Sequence, residues 1–385
     1  MINSTMGILT VILLMITVAL LTQKIGFMKS FVPPALVVII LGAILSNIGI
    51  MPFYHDSYAV IMNYAIPLFI SIALLNVDLK GIFSLSKRAL LAMVIAAISV
   101  SVITIIGSLI FAGRIEEGWK LGGMFVGTYT GGSANLSAIA VALDASPTTL
   151  AVANGADYVI GMPTLMLMFA MPAIMKKSKA FQKFWPYSLP EEELCKDDGS
   201  GELMGRKEWG IQDIAIMLAY GFALTVAADY LAALAPDGYG SVVRILSITT
   251  VSVIAAQTPF AKMVKGNMDL GMFIIMFFLS IVGLTLNIGT FASAAVSVTL
   301  FCAFTIFGSL ALHLILARLL KIEYQYVLIS IVAAISDASS AAMVAATGGW
   351  RSLVSIGVVL GIIGTVAGNY LGVAVAYIIR AIIGV

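Results

Sequence analysis

The sequence GTYTGGSAN, residues 127 to 135, is a polar stretch between two long apolar runs. Three of its nine residues are glycines, which let the backbone approach a ligand closely. A helix that begins after such a break would offer N–H donors and partial positive charge to an anionic group. The alternative is that the glycines only pack helices together. We expect substrate-binding groups from the following residues of this stretch: Thr128, Thr130, Gly131, Gly132, Ser133 and Asn135.

A second polar stretch, ISDASSAAM at residues 335 to 343, carries Asp337 among serines. An acidic residue at the centre of a membrane helix costs about 2.5–3.5 kcal/mol on insertion scales, so it is a functional candidate by default. Asp337 and Ser336 suit the coupling of sodium or protons, and Ser339 and Ser340 add hydroxyl groups for a substrate. The alternative is that the Asp337 side chain extends from a short re-entrant turn toward the membrane surface.

Three further residues are candidates for ion coupling. Asp157 lies about a third of the way into an apolar segment, with Asn154 one turn earlier on the same helix face. Asn76 and Asn287 each end an apolar segment after a leucine, and a side-chain amide there can reach a cation or cap a helix. A structural hydrogen bond is the alternative for Asp157, and helix capping is the alternative for the two asparagines. The sequence thus allows a sodium site formed by Asn76, Asp157, Asn287, Ser336 and Asp337.

The composition indicates an integral membrane protein. Hydrophobic residues make up 61% and charged residues 10%, against roughly 45–50% and 25% in soluble domains. The net charge of +2 is not concentrated in a basic patch, so nucleic acid is not an expected partner. The sequence contains no P-loop, HExxH or GxSxG motif, so we expect neither an ATP-driven pump nor an enzyme, and no cofactor.

Apolar segments divide the chain into two similar halves. Cuts at charges, prolines and glycine clusters leave twelve candidate membrane segments, at about residues 6–23, 33–51, 58–77, 88–113, 120–143, 148–175, 211–235, 241–261, 268–289, 292–317, 325–347 and 352–379. Features follow the same order in both halves, which indicates an internal repeat, although membrane composition alone is the alternative. We expect a first repeat at 1–177, a hydrophilic linker at 178–210 and a second repeat at 211–385.

The distribution of Lys and Arg predicts the topology, because short cytoplasmic loops carry the excess of positive charge. If all twelve segments crossed, the cations would be divided between both sides. If segments 120–143 and 325–347 are re-entrant, most cations lie on one side. We therefore expect an all-α polytopic membrane protein with about ten transmembrane helices in two inverted repeats, each with a re-entrant or broken helical segment. The N-terminus is then outside and the linker cytoplasmic.

The G-G-S-x-N segment formed by Gly131, Gly132, Ser133 and Asn135 resembles the mark of a family of bacterial integral membrane proteins of unknown function. The chain is also distantly similar in layout to the bacterial sodium:glutamate symporters. This resemblance implies a moving transport domain with both re-entrant segments, and a scaffold domain that forms a homodimer in the bacterial inner membrane. The chain departs from the symporters at Ala134 and at residues 336–338, where they have glycines.

These observations predict a secondary active transporter. We expect sodium- or proton-coupled symport of a small organic anion, amino acid or short peptide by alternating access. The expected partners are therefore a small-molecule substrate and the lipid bilayer, and the coupling ion is Na⁺ or H⁺. The alternative is a cation/proton antiporter, in which Asp157 and Asp337 bind the ion and no organic substrate exists.

Overall fold

The structure is a computed structural model that describes residues 2–22, 34–77, 86–195 and 209–384. These residues form α-helices and short turns, with no β-strand among them. The helices in chain order are α1 (Thr5–Thr22), α2 (Pro34–Asn47), α3 (Asp56–Ala73), α4 (Lys87–Phe111), α5 (Gly118–Gly131), α6 (Ser133–Ala142), α7 (Pro147–Lys177), α8 (Lys179–Phe184), α9 (Glu191–Leu194), α10 (Ile211–Ala232), α11 (Gly240–Ala255), α12 (Pro259–Met263), α13 (Asn267–Leu284), α14 (Ile288–Leu319), α15 (Tyr324–Ile335), α16 (Ala338–Thr347) and α17 (Val354–Ile383).

The chain is an all-α polytopic membrane protein. Seven helices of the described residues contain a stretch long and apolar enough to cross a membrane: α1, α3, α4, α7, α10, α14 and α17. Shorter apolar helices occupy the other expected crossings, at α2, α11 and α13. A helix satisfies its own backbone hydrogen bonds, which lipid cannot do, so these apolar runs fold as helices.

The two halves show the same order of elements. Each has a short apolar helix (α2, α11), a second helix (α3, α13), a long helix (α4, α14), a pair of short helices (α5–α6, α15–α16) and a long closing helix (α7, α17). This order agrees with the features that the sequence repeats. Duplication and inversion of the halves remain predictions.

Contacts divide the chain into two compact units. Unit 1 comprises Met1–Asn76, Ala140–Tyr158 and Lys207–Val296. Unit 2 comprises Val77–Ile139, Val159–Arg206 and Ser297–Val385. The units do not coincide with the predicted repeats, because each contains segments from both halves of the sequence.

Unit 1 is held together by close helix packing and by amide hydrogen bonds. A Cβ built on Gly42 of α2 would lie 2.8 Å from the backbone nitrogen of Leu284, so only a glycine permits this approach to α13. The buried side chain of Asn267 donates from Nδ2 to the carbonyl of Ile72, 3.2 Å away, near the end of α3. Asn267 therefore adds a side-chain hydrogen bond to a carbonyl group at the end of α3, where regular helical hydrogen bonding ends.

Unit 2 is built around the glycine-rich helix α17. Gly372 of α17 packs against Gly123 of α5, and Gly364 packs against Gly131. From the first contact to the second, the residue number increases in α5 and decreases in α17, so the two helices are antiparallel. Small residues let these backbones approach closely, which is a common way for helices to associate in membranes.

The first part of the predicted linker is folded onto unit 2. We call residues Lys179–Leu194 the strap. Trp185 is 4% exposed, and its Nε1 donates to the carbonyl oxygen of Ile322 at 2.9 Å. The backbone nitrogen of Tyr324 donates to the carbonyl of Tyr187 at 3.1 Å. The Arg318 guanidinium lies 5.0–6.0 Å from three aromatic rings of the strap, those of Phe184, Trp185 and Tyr187.

Candidate functional site

The GTYTGGSAN segment forms a re-entrant hairpin. A Cβ built on Gly127 would lie 2.8 Å from Cγ1 of Ile139 and 3.5 Å from Cβ of Asn135. In a continuous helix, residues 127 and 139 would be ~18 Å apart at 1.5 Å per residue. The chain therefore turns at Gly132, and α6 runs back along α5. We call Gly118–Ile139 hairpin 1.

The ISDASSAAM segment also turns back. Tyr324 begins α15, and Trp350 follows the end of α16, yet their ring centroids are 5.9 Å apart in a T-shaped contact. A continuous helix would separate these residues by ~39 Å. We call Tyr324–Trp350 hairpin 2. In both hairpins the contacts agree with the expected re-entrant segment, not with its alternative, a broken full crossing.

The two hairpins enter unit 2 from opposite ends. Arg88 at the start of α4 forms an ion pair with Glu323, directly before α15, at 2.9 Å. A Cβ built on Gly122, near the start of α5, would lie 3.7 Å from Cγ2 of Thr104, in the second half of α4. The first arm of hairpin 2 thus begins where α4 begins, and the first arm of hairpin 1 begins near the end of α4.

The tips of the hairpins meet. Gly132 has φ +94° and ψ 168°, a conformation that is essentially restricted to glycine. A Cβ at this position would overlap the carbonyl oxygen of Ser336 at the tip of hairpin 2. The structure therefore brings together two polar stretches that lie about 200 residues apart in the sequence.

The tip of hairpin 1 is bound to α17. The side chain of Asn135 donates from Nδ2 to the carbonyl oxygen of Thr365 at 2.8 Å. The Thr365 hydroxyl lies 3.3 Å from the carbonyl oxygen of Gly131 and 3.0 Å from that of Gly361, and can donate its proton to either. These contacts hold the break in place where the helix cannot satisfy its own carbonyl groups.

Two threonines of the expected substrate set are fully buried in hairpin 1. The Thr128 hydroxyl donates to the carbonyl oxygen of Met124 in its own helix at 2.7 Å. The Thr130 hydroxyl has no hydrogen-bond partner within the described part of the chain. Ser133, which begins α6, is only partly buried. Of these three residues, Ser133 is therefore the most accessible to a ligand.

The tip of hairpin 2 carries an exposed acidic residue. Asp337 directly precedes α16, and its Oδ1 accepts a hydrogen bond from the backbone nitrogen of Ser340 at 2.7 Å. Asp is a favoured capping residue, and the helix N-terminus stabilises negative charge. The Ser336 hydroxyl donates to the Ser340 hydroxyl at 2.9 Å, and Ser339 lies in the first turn of α16. Asp337 thus caps a helix, and the residue is exposed at the tip of hairpin 2.

The other expected ion-coupling residues lie in unit 1. Asp157 is 4% exposed within α7, and the neighbouring Asn154 donates from Nδ2 to the carbonyl of Leu150 at 2.9 Å. Asn76 ends a 3₁₀ turn after α3, whereas Asn287 is exposed and directly precedes α14. The structure thus groups Ser336 and Asp337 with hairpin 1, and it places the remaining three candidates in the other unit.

Thr365 is a site residue that the sequence-based expectations missed. It belongs to the glycine series of α17, between Gly361 and Gly368. Thr365 directly follows Gly364, and Asn369 directly follows Gly368. Because the two polar residues are four positions apart, they share one side of the helix. That pattern was the available signal.

The fold and the site together define a class: a multi-pass membrane protein in which two opposed re-entrant hairpins meet inside one unit. The chain belongs to the DUF819 family, described as protein of unknown function, whose family model matches residues 10–382. It is similar to the "Uncharacterized membrane protein YjcL" of Bacillus subtilis (strain 168). The two are 25% identical over 357 residues, a match that covers 89% of each chain.

Proposed function

We propose that the protein is a secondary active transporter that couples uptake of a small organic anion, amino acid or short peptide to Na⁺ or H⁺. The observation that carries this proposal is the contact between the hairpin tips at Gly132 and Ser336. Non-helical backbone at membrane depth is tolerated where protein encloses it or where it lines a watery cavity. Helix breaks of this kind form the substrate and ion sites of many secondary transporters.

The two tips have complementary electrostatic character. Helix α6 begins at Ser133, directly after the break, so its N-terminus brings partial positive charge to the tip of hairpin 1. Anionic groups bind readily at such helix ends. Asp337 brings a carboxylate to the tip of hairpin 2, and it is the only acidic residue between Tyr324 and Ile383. An anionic substrate group and a coupling cation could therefore bind side by side.

Adjacent sites of opposite charge suit symport, because each bound species lowers the electrostatic cost of binding the other. Linkage then requires that ion and substrate raise each other's affinity by the same factor. In this proposal unit 2 is the transport domain, since it holds both tips. As the resemblance to the symporters implies, the protein forms a homodimer in the bacterial inner membrane, and the charge distribution puts its N-terminus outside.

The proposal is tested first by a stabilisation screen. Purified full-length protein is mixed with organic anions, amino acids and short peptides, in sodium buffer and in choline buffer, at two pH values. A ligand that binds only the native state raises apparent stability by mass action. We expect at least one solute to stabilise the protein, and we expect sodium or low pH to enlarge the effect.

Solutes that stabilise the protein are then tested for uptake into proteoliposomes under a sodium gradient or a pH gradient. Accumulation that requires one of these gradients supports the proposal. Exchange of sodium for protons without any organic solute supports the antiporter alternative, in which Asp157 and Asp337 would bind the ion. Neither uptake nor exchange in vesicles that contain folded protein would contradict both.

A further inference from the structure

A small cavity lies within unit 2. Its volume is about 20 Å³, and residues of α4, α5, α14 and α15 line it. The polar residues of its described lining are Tyr129, Ser309 and His313, and the aliphatic ones are Ala96, Val100, Ile306, Leu310, Ile331, Ala334 and Ile335. The cavity is separate from the contact between Gly132 and Ser336.

His313 presents a buried atom that has no hydrogen-bond partner. The residue is 2% exposed, and its Nε2 lacks a partner in the described part of the chain. A buried polar atom without a partner costs free energy, so such atoms in folded proteins are usually bonded to protein or to ordered water. The structure leaves this atom beside a cavity that a water molecule could occupy.

The size and the lining of the cavity suit one water molecule. A cavity needs roughly 10–15 Å³ to hold a single water, and the water needs two to four polar partners. His313 Nε2 is one partner. The Ser309 hydroxyl, which donates to the carbonyl of Ile306 at 2.9 Å, keeps lone pairs that can accept from water. The Tyr129 hydroxyl lies 2.9 Å from the Cys302 sulfur, a weak partner, and can also accept.

We infer that one ordered water molecule occupies this cavity, bonded to His313 Nε2 and bridging it to Ser309 or Tyr129. Water can donate or accept, so it fits either neutral tautomer of the imidazole. An organic ligand is too large for this volume. A metal cation of the hard type requires several oxygen ligands, and the described lining offers two hydroxyl groups and no carboxylate.

The cavity lies beside residues of both hairpins. Tyr129 belongs to the GTYTGGSAN stretch of hairpin 1, and Ile335 directly precedes Ser336 at the tip of hairpin 2. Where the water bridges His313 to Tyr129, it links α14 to the first arm of hairpin 1. This inference rests on the cavity and on the buried Nε2 of His313, and it stands whether or not the protein is a transporter.

Solid-state NMR of the full-length protein in lipid bilayers tests the inference. The chain has two histidines, His55 and His313, so ¹⁵N-histidine labelling gives a simple spectrum that a His55→Asn variant assigns. When polarisation is transferred from water protons to nitrogen, the Nε2 signal of His313 should appear in the spectrum. Absence of this transfer in the wild type would overturn the inference.

A cavity-filling variant provides the matched control. Ala334→Val adds two methyl groups at the wall of the cavity and leaves His313, Ser309 and Tyr129 in place. We expect it to abolish polarisation transfer to His313 and to leave transfer to His55 unchanged. Persistent transfer to His313 in the variant would show that the water lies elsewhere and would also overturn the inference.

Discussion

Replacing Gly132 by alanine tests the contact between the hairpin tips. The backbone at Gly132 has φ +94° and ψ 168°, and a side chain in this region costs about 1–3 kcal/mol of strain. The new Cβ would also overlap the carbonyl oxygen of Ser336, and overpacking of this kind costs about 1–3 kcal/mol. We therefore expect Gly132→Ala to lower the free energy of unfolding by roughly 2–6 kcal/mol.

The two cysteines allow a direct assay of this loss. Cys302 is fully buried and Cys195 is exposed. In a Cys195→Ser background, a fluorogenic thiol reagent can react with Cys302 only after the protein unfolds. The reaction is followed during denaturant or thermal unfolding of the purified protein, and Gly132→Ala should bring the transition to milder conditions.

Two glycine controls separate strain from contact. Gly238 has φ +81°, and a Cβ added there would have no atom within 4 Å, so Gly238→Ala measures backbone strain alone. A Cβ added at Gly113 would have no atom within 4 Å, and the backbone there does not have a positive φ. Gly113→Ala should therefore change stability by less than about 0.5 kcal/mol. If Gly132→Ala is no worse than Gly113→Ala, the tips do not meet as described. If Gly132→Ala loses only as much stability as Gly238→Ala, backbone strain explains the whole loss, and a contact with Ser336 is contradicted.

Three further predictions concern the strap, the topology and hairpin 1. Trp185→Ala should destabilise the protein by about 3–5 kcal/mol, whereas the exposed Phe184→Ala should cost less than about 1 kcal/mol; equal losses in denaturant unfolding would contradict the packing of the strap. Cys195 should react with a membrane-impermeant thiol reagent in inside-out vesicles only, and labelling in intact cells would refute a cytoplasmic linker. Asn135→Ala and Asn135→Asp should each lose about 1–3 kcal/mol, because alanine and an ionised aspartate cannot donate to the Thr365 carbonyl, and unchanged stability of both would exclude that bond.

The helices and the two re-entrant segments could be predicted from the sequence. Apolar runs have the length that a bilayer requires, and most of the positive residues fall on one side only if two segments turn back. The length of an apolar run is a local signal, and the distribution of positive residues is a sum along the chain, so neither requires knowledge of tertiary contacts. The G-G-S-x-N stretch was also identifiable, because its glycines and polar residues interrupt an apolar run.

The partners of each segment could not be predicted. Contact between Gly132 and Ser336 depends on how two hairpins pack against α17, and nothing in either stretch specifies that packing. The same holds for the bond from Asn135 to the backbone of Thr365, since any residue supplies a carbonyl group. A single sequence contains no signal for a contact made by backbone atoms.

Two features of the structure have local signals in the sequence. Asp337 followed by Ala-Ser-Ser is typical of a helix N-terminus, where an Asp side chain accepts a backbone hydrogen bond. The predicted linker contains FQKFWPY, residues 181–187, which is aromatic within a hydrophilic stretch. Large aromatic side chains favour burial, so this run indicated that the linker begins with a packed segment.

In the proposed function, the hairpin tips couple an ion to a substrate through Asp337. The most direct test is the affinity of a stabilising solute, measured at several sodium concentrations and pH values, in the wild type and in Asp337→Asn. This variant keeps the size of the side chain and removes its charge. We predict that sodium or low pH strengthens solute binding in the wild type and has little effect in the variant. An unchanged ion dependence in Asp337→Asn would contradict the claim.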